Sequence, residues 1–161
     1  MSVKNISSYD DADQLKQLMA NAKRLGNTDV YKQAFRRLCE LAGNGKPDAL
    51  HMDFYSTLTA YEALLTEKNG RTTRANRTRQ KLARHGVIKC LEDWAKDAKE
   101  TQGFSVLVEN GLVELTGEFL VLKYPDNFSP KAIENAKRRL KDVHQREEFK
   151  KAFDTAGILF D

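Results

Sequence analysis

Eight basic residues and no acidic one lie between Lys68 and Leu91 of this 161-residue chain: Lys68, Arg71, Arg74, Arg77, Arg79, Lys81, Arg84 and Lys89. The whole chain carries only +4, so the rest of it is net negative and the basicity is a patch. The chemistry this supports is neutralisation of a polyanion. Arg74, Arg77, Lys81 and Arg84 recur at intervals of three, four and three, so on a helix they line one face. A stripe of like charge destabilises an isolated helix unless phosphates or facing carboxylates offset it. Arginine outnumbers lysine five to three in the patch, which suits bidentate contacts to phosphate or guanine. The residues assigned to nucleic acid are Arg71, Arg74, Arg77, Arg79, Lys81, Arg84 and Lys89, with Asn76 and Gln80 available to read base edges. Five such cations on phosphates predict a slope of log K against log[salt] of about −4 to −5. The competing account pairs the patch internally with acids such as Asp10, Asp11, Asp13, Glu147 and Glu148. Aromatic residues do not alternate with the arginines, so a stacking platform for single strands is disfavoured and double-stranded DNA is the expected partner.

Groups able to make or break bonds are sparser. His51, Tyr55, Thr59, Glu62 and Thr66 share a helical face, where a glutamate with a histidine and a tyrosine could act on a nucleic-acid backbone or base. Asp97 and Lys99 form a D-x-K pair, while Asp48 and Asp126 each follow a proline. These fragments resemble the PD-(D/E)xK nucleases, and the resemblance implies two carboxylates holding Mg²⁺ and a lysine orienting the attacking water. That family places these residues at the ends of central strands, whereas here they fall in loops or helices. The catalytic candidates are Glu62, His51, Asp97 and Lys99. The alternative to a DNA-binding protein is thus a small metal-dependent nuclease of restriction type, with Mg²⁺ as its ion and the same basic helix gripping substrate. Otherwise no cofactor or metal site is expected. The Walker loop, the dinucleotide fingerprint, the nucleophile elbow and the zincin motif are all missing. His51, His85 and His144 are scattered, and Cys39 and Cys90 read as small core residues.

The elements that must position these groups are mostly helices. Leu15, Leu18, Met19, Ala22 and Leu25 mark an amphipathic helix that stops at Gly26. Thr28 is a plausible cap for a second, with Val30, Ala34, Phe35, Leu38 and Leu41 inward and Gly43 at its end, so the two should form an antiparallel hairpin. Leu50, Phe54, Leu58, Tyr61 and Leu65 mark a longer third helix ending at Asn69 and Gly70. The basic segment opens with Thr72 and Thr73 as candidate caps, runs to about His85 and stops at Gly86; Val87, Ile88, Leu91, Trp94 and Ala95 then resume a buried face. Ser129 and Pro130 start a further helix over Ile133, Ala136, Leu140 and Val143. The apolar phase slips between His144 and Phe149, where that helix should bend or restart, and Phe149, Phe153, Ile158, Leu159 and Phe160 suggest a docking C-terminus.

Between these lies a region of different character. Phe104 to Glu109 make one or two helical turns, Asn110 and Gly111 end them, and Leu112–Leu115 and Glu118–Leu122 read as two short strands joined at Thr116 and Gly117. Gly117 and the branched Val113 and Val121 weigh against a single buried helix over the same residues. The string from Leu107 to Glu118 resembles the end of a recognition helix followed by the wing of winged-helix proteins, over about twenty residues. In such proteins the helix before the wing reads the bases; here that segment offers Ser105 and Glu109 and no positive charge, so the DNA-facing helix would be residues 73–85 instead.

Composition bounds the whole. With 40% hydrophobic and 31% charged residues the chain has the make-up of one globular domain with a full core. No run of eighteen apolar residues and no charged-then-apolar leader is found, so neither a membrane span nor secretion is expected and the cytoplasm is the expected location. The expected fold is mainly α: a single helical domain, 1–161, with one small β-hairpin. Within it fall an N-terminal helical part (1–70), the basic helix and its successor (71–100), the hairpin (103–124) and the C-terminal helices (129–161). The assigned function is DNA binding through the Arg-rich helix of residues 71–89, with a homodimer through the apolar C-terminal tail as the arrangement a twofold site would favour.

Overall fold

The computed structural model describes residues 5–97 and 102–160. Among them are eight α-helices joined by short 3-10 turns, and no strand. The chain divides into two compact units, Met1–Ala60 and Tyr61–Asp161, with α3 (Ala49–Asn69) contributing its residues through Ala60 to the first.

The first unit is built on the expected hairpin of α1 (Ala12–Arg24) and α2 (Thr28–Gly43). Asp11 caps α1 by accepting from the backbone N–H groups of Asp13 and Gln14, which satisfies donors that the first helical turn leaves open. Asn27, rather than Thr28, caps α2, accepting from Val30 N–H. Leu15, Ala34 and Leu38 are buried together with Ile6, and Leu18, Met19, Val30 and Leu41 close over them. Ser56 on α3 donates to the Cys39 carbonyl of α2 at 2.8 Å, and Phe35, Phe54 and Leu58 are almost wholly buried. The acids nearest the N-terminus serve this unit: besides the Asp11 cap, Asp10 pairs with Arg37 at 3.1 Å.

The second unit packs α4 (Asn76–Lys96), α6 (Gly117–Lys123) and α7 (Pro130–Leu140) against one another. α4 is broken at Gly86, whose φ of 85° and ψ of 176° are open in practice to glycine alone. The break turns one long helix into two neighbouring segments: the Cys90 thiol lies 4.0 Å from the Thr78 carbonyl, residues that a straight helix would hold about 18 Å apart at 1.5 Å per residue. The expectation of a basic helix stopping at Gly86 and a buried one resuming after it matches this geometry. α5 (Gln102–Glu109) precedes α6, and α8 (Lys150–Ala156) follows two 3-10 turns at the place where the apolar phase slips. The C-terminus docks on its own chain: Phe160 stacks on His144 with ring centroids 3.8 Å apart, and Phe153 packs edge-on to it.

The β-hairpin, and with it the wing, is absent among the described residues. Val113–Leu115 is a 3-10 turn and Gly117–Lys123 is α6. Thr116, read as half of a tight turn, is the N-cap of this helix: its hydroxyl accepts from Phe119 N–H at 3.2 Å and donates to the Val113 carbonyl at 2.8 Å. Gly117 owes its place to crowding instead of turn geometry, since a β-carbon there would stand 2.9 Å from Cε3 of Trp94. α6 is buried from Gly117 to Leu122, and a helix enclosed on every side shows no 3.6-residue alternation to distinguish it from a buried strand.

Candidate nucleic-acid interface

The basic segment is held in place by three side chains of α3 that the sequence offered for other purposes or none. Thr66 accepts from Thr73 N–H at 3.0 Å, Asn69 donates to the Thr73 hydroxyl at 3.1 Å, and Glu62 closes the set. One Glu62 oxygen accepts from Ala75 N–H at 2.8 Å and from Arg79 Nε at 2.7 Å; the other accepts from Arg79 Nη2 at 2.6 Å. Burial pushes this carboxyl up, but the Arg79 hydrogen bonds, the Ala75 N–H and the charges of Arg79 and Arg74 outweigh it and hold the group below the ordinary glutamate range. α4 therefore begins at Ala75 without a side-chain cap from Thr72 or Thr73. A carboxylate from thirteen residues upstream binds its first turn instead.

The seven cations assigned to nucleic acid separate into two sets. Arg71, Arg74, Arg77 and Arg84 are exposed and form no ion pair with any described residue. Arg77 and Arg84 lie on the outer face of α4 with Asn76, Gln80 and Ala83, all exposed, as spacings of three, four and seven on a helix require. Arg74 stands just before the helix and Arg71 at the bend that follows α3, so the stripe of four drawn from the spacing is helical only from Arg77 onward. The second set is engaged internally: Arg79 with Glu62, and Lys81 and Lys89 with Asp93, at 2.8 and 3.0 Å. The acids expected to compete for the patch are occupied elsewhere in part: Glu147 meets Lys150 and Glu148 meets Arg146. Of the two acids that do meet the patch, Asp93 was not singled out in the sequence, although its i,i+4 spacing from Lys89 is a legible signal. The Lys81 hydrogen bond, aided by Lys89, holds the Asp93 carboxyl below its ordinary range against a modest burial effect.

Beyond Gly86, α4 is locked to α7 by polar contacts. Glu92 accepts from the backbone N–H and hydroxyl of Ser129 at 2.8 and 2.6 Å, and Asn135 donates to the Ala95 carbonyl at 3.0 Å. Arg139, with its partner Glu118 also buried, donates to the Trp94 and Asp97 carbonyls and so closes the C-terminal end of α4. The outward arginines thus stand on a helix tied down at its start by α3 and beyond its break by α7.

Each described catalytic candidate has local partners of its own. His51 belongs to the first unit, where its Nδ1 meets Asp48 at 2.8 Å and Asp48 accepts its backbone N–H; those bonds, the backbone one foremost, keep the Asp48 carboxyl low. Tyr55 lies beneath the Lys46 ammonium, 4.0 Å from the ring centre. Glu62 is committed to Arg79 and Ala75, Asp97 ends α4 with its carbonyl bonded to Arg139, and Lys99 lies outside the described residues. No cluster of three or more His, Cys, Asp or Glu placed to hold a metal ion is found among the described residues. A cleft of about 350 Å³ walled by Tyr61, Leu64, Leu65 and Val106 includes none of the four candidates.

No family model, no curated protein and no solved structure matches this chain. No helix among the described residues is long and apolar enough to cross a membrane.

Proposed function

We propose that the protein binds nucleic acid, with double-stranded DNA as the favoured form, by laying the outer face of α4 and its lead-in along the phosphate backbone. The observation that carries the reading is the outward quartet Arg71, Arg74, Arg77 and Arg84, exposed and in no ion-pair contact with a described carboxylate. Four exposed guanidinium groups on one short segment, of which Arg74 also acts through space on the Glu62 carboxylate, raise the local potential and favour a polyanion. Arg77 and Arg84 flank Gln80 on the exposed face, so two phosphate ligands bracket an amide able to meet a base edge. Arg79 is a scaffold residue in this reading, because Glu62 already occupies its fork.

The test is a titration of labelled duplex DNA across a salt series. Four phosphate contacts predict a slope of log K against log[salt] of about −3.6, shallower than the −4 to −5 expected from five. Arg77→Ala with Arg84→Ala should lower the slope magnitude by about 2 and weaken binding to all sequences alike, whereas Gln80→Ala should alter preference between sequences. Affinity that ignores salt, or no binding at low salt, refutes the proposal.

A further inference from the structure

We infer that Asp93 restrains this surface by holding Lys81 and Lys89 in reserve, so that one carboxylate on α4 limits how tightly the protein grips a polyanion. The inference rests on the nucleic-acid reading above and concerns the strength of that binding. The carboxylate spans the Gly86 break: Oδ2 lies 2.8 Å from Lys81 Nζ on one segment and Oδ1 lies 3.0 Å from Lys89 Nζ on the other. One negative charge thereby offsets two positive ones, and the trio carries +1 where the lysines alone would carry +2. Lys81 is placed at the margin of the face that bears Arg77 and Arg84, three residues before Arg84 and four after Arg77.

Two features make this carboxylate a restraint on binding rather than a fixed part of the fold. The first is exposure: the side chains of Lys81, Lys89 and Asp93 are 38%, 53% and 29% accessible, and ion pairs so open to water contribute little net stability. The second is the chemistry of the donors. An ammonium on a four-carbon stem is a point charge that can turn from a carboxylate to a phosphate, whereas the Arg79 fork is fixed by two bonds to a Glu62 side chain only 13% exposed. Asp93 also repels any phosphate drawn toward Lys81, 2.8 Å from its carboxylate. Removing its charge should therefore strengthen binding and add a cation to the contact.

The experiment compares the full-length protein with Asp93→Asn, Lys81→Gln and their combination, by fluorescence anisotropy on a labelled DNA duplex of about two helical turns. Asp93→Asn should bind about fivefold to tenfold tighter near 0.1 M salt and steepen the salt slope by about 1. Lys81→Gln should change affinity less than twofold in the native background, but remove most of the gain in the Asp93→Asn background. Asp93→Ser repeats the test with a smaller neutral side chain, and circular dichroism reports whether each variant is folded. Unchanged or weaker binding by folded Asp93→Asn overturns the inference, as does an equal effect of Lys81→Gln in both backgrounds. Unfolding of both Asp93 variants overturns it too, since it would make Asp93 a folding residue. If Arg77→Ala and Arg84→Ala weaken binding while Asp93→Asn does nothing, only the restraint fails. If neither the native protein nor any variant binds duplex at low salt, the nucleic-acid reading falls with it.

Discussion

Glu62→Gln isolates the contact on which the placement of the basic segment depends. The native carboxylate accepts three hydrogen bonds, from Ala75 N–H and twice from Arg79, at 2.6–2.8 Å. Glutamine keeps one acceptor oxygen and turns an NH₂ group toward donors, so at least one bond is replaced by a donor facing a donor. A buried hydrogen bond to a charged group contributes about 1.5–3 kcal/mol net, and an exposed pair about 0–1 kcal/mol. Glu62 is 13% accessible and Arg79 39%, which places the loss between these limits, at about 2 kcal/mol in all. For a chain of this size that lowers Tm by about 4–8 °C, followed by circular dichroism. The pH dependence has a definite sign. The folded-state carboxyl lies below its ordinary range, so the unfolded chain binds more protons; the contribution is complete above the unfolded value of about 4.3 and is lost as pH falls through the depressed folded value. The gap between native protein and Glu62→Gln should accordingly be widest near neutral pH and close in acid. Binding supplies a second readout, because the variant is one charge more positive yet loses the anchor of the α4 N-terminus. Its affinity for duplex should fall by a few fold. A Tm within about 1 °C of the native value, or tighter binding than the native protein, would refute the anchoring argument.

Two further outcomes follow from the packing of the second unit. Gly117→Ala should destabilise by about 1–3 kcal/mol in urea titration, although alanine is the better helix former by about 1 kcal/mol, because the new methyl group would stand 2.9 Å from the Trp94 ring; a stabilised variant would show that Trp94 gives way freely. Arg139→Met removes the buried ion pair with Glu118 and the donors to the Trp94 and Asp97 carbonyls, so a loss of about 3–5 kcal/mol is expected, partly recovered when Glu118→Gln is added. Equal stability of the single and double variants would count against a coupled pair.

The helical character of the chain and the places of α1, α2, α3 and α7 were legible in the amino-acid sequence, because α1, α2 and α7 each have one wet face and one dry one. On such elements Leu15, Leu38 or Ala136 recur with the helical period, and a cap such as Ser129 acts within three residues of its position. The break of the basic segment was legible for a similar local reason: Gly86 adopts a conformation that other residues resist. α6 was not, since burial on all sides erased its period and Gly117 was selected by a tryptophan more than twenty residues away. The basic patch divides along the same line. Sequence alone established that eight cations crowd one stretch without an acid among them, because charge is a property of residue type. Which of them are paired with a carboxylate was decided by Glu62 and Asp93, through hydrogen bonds that depend on how α3 and the two segments of α4 come together. Coulomb attraction at 2.6–3.0 Å depends on distance in space, and distance in space is what chain folding alone supplies.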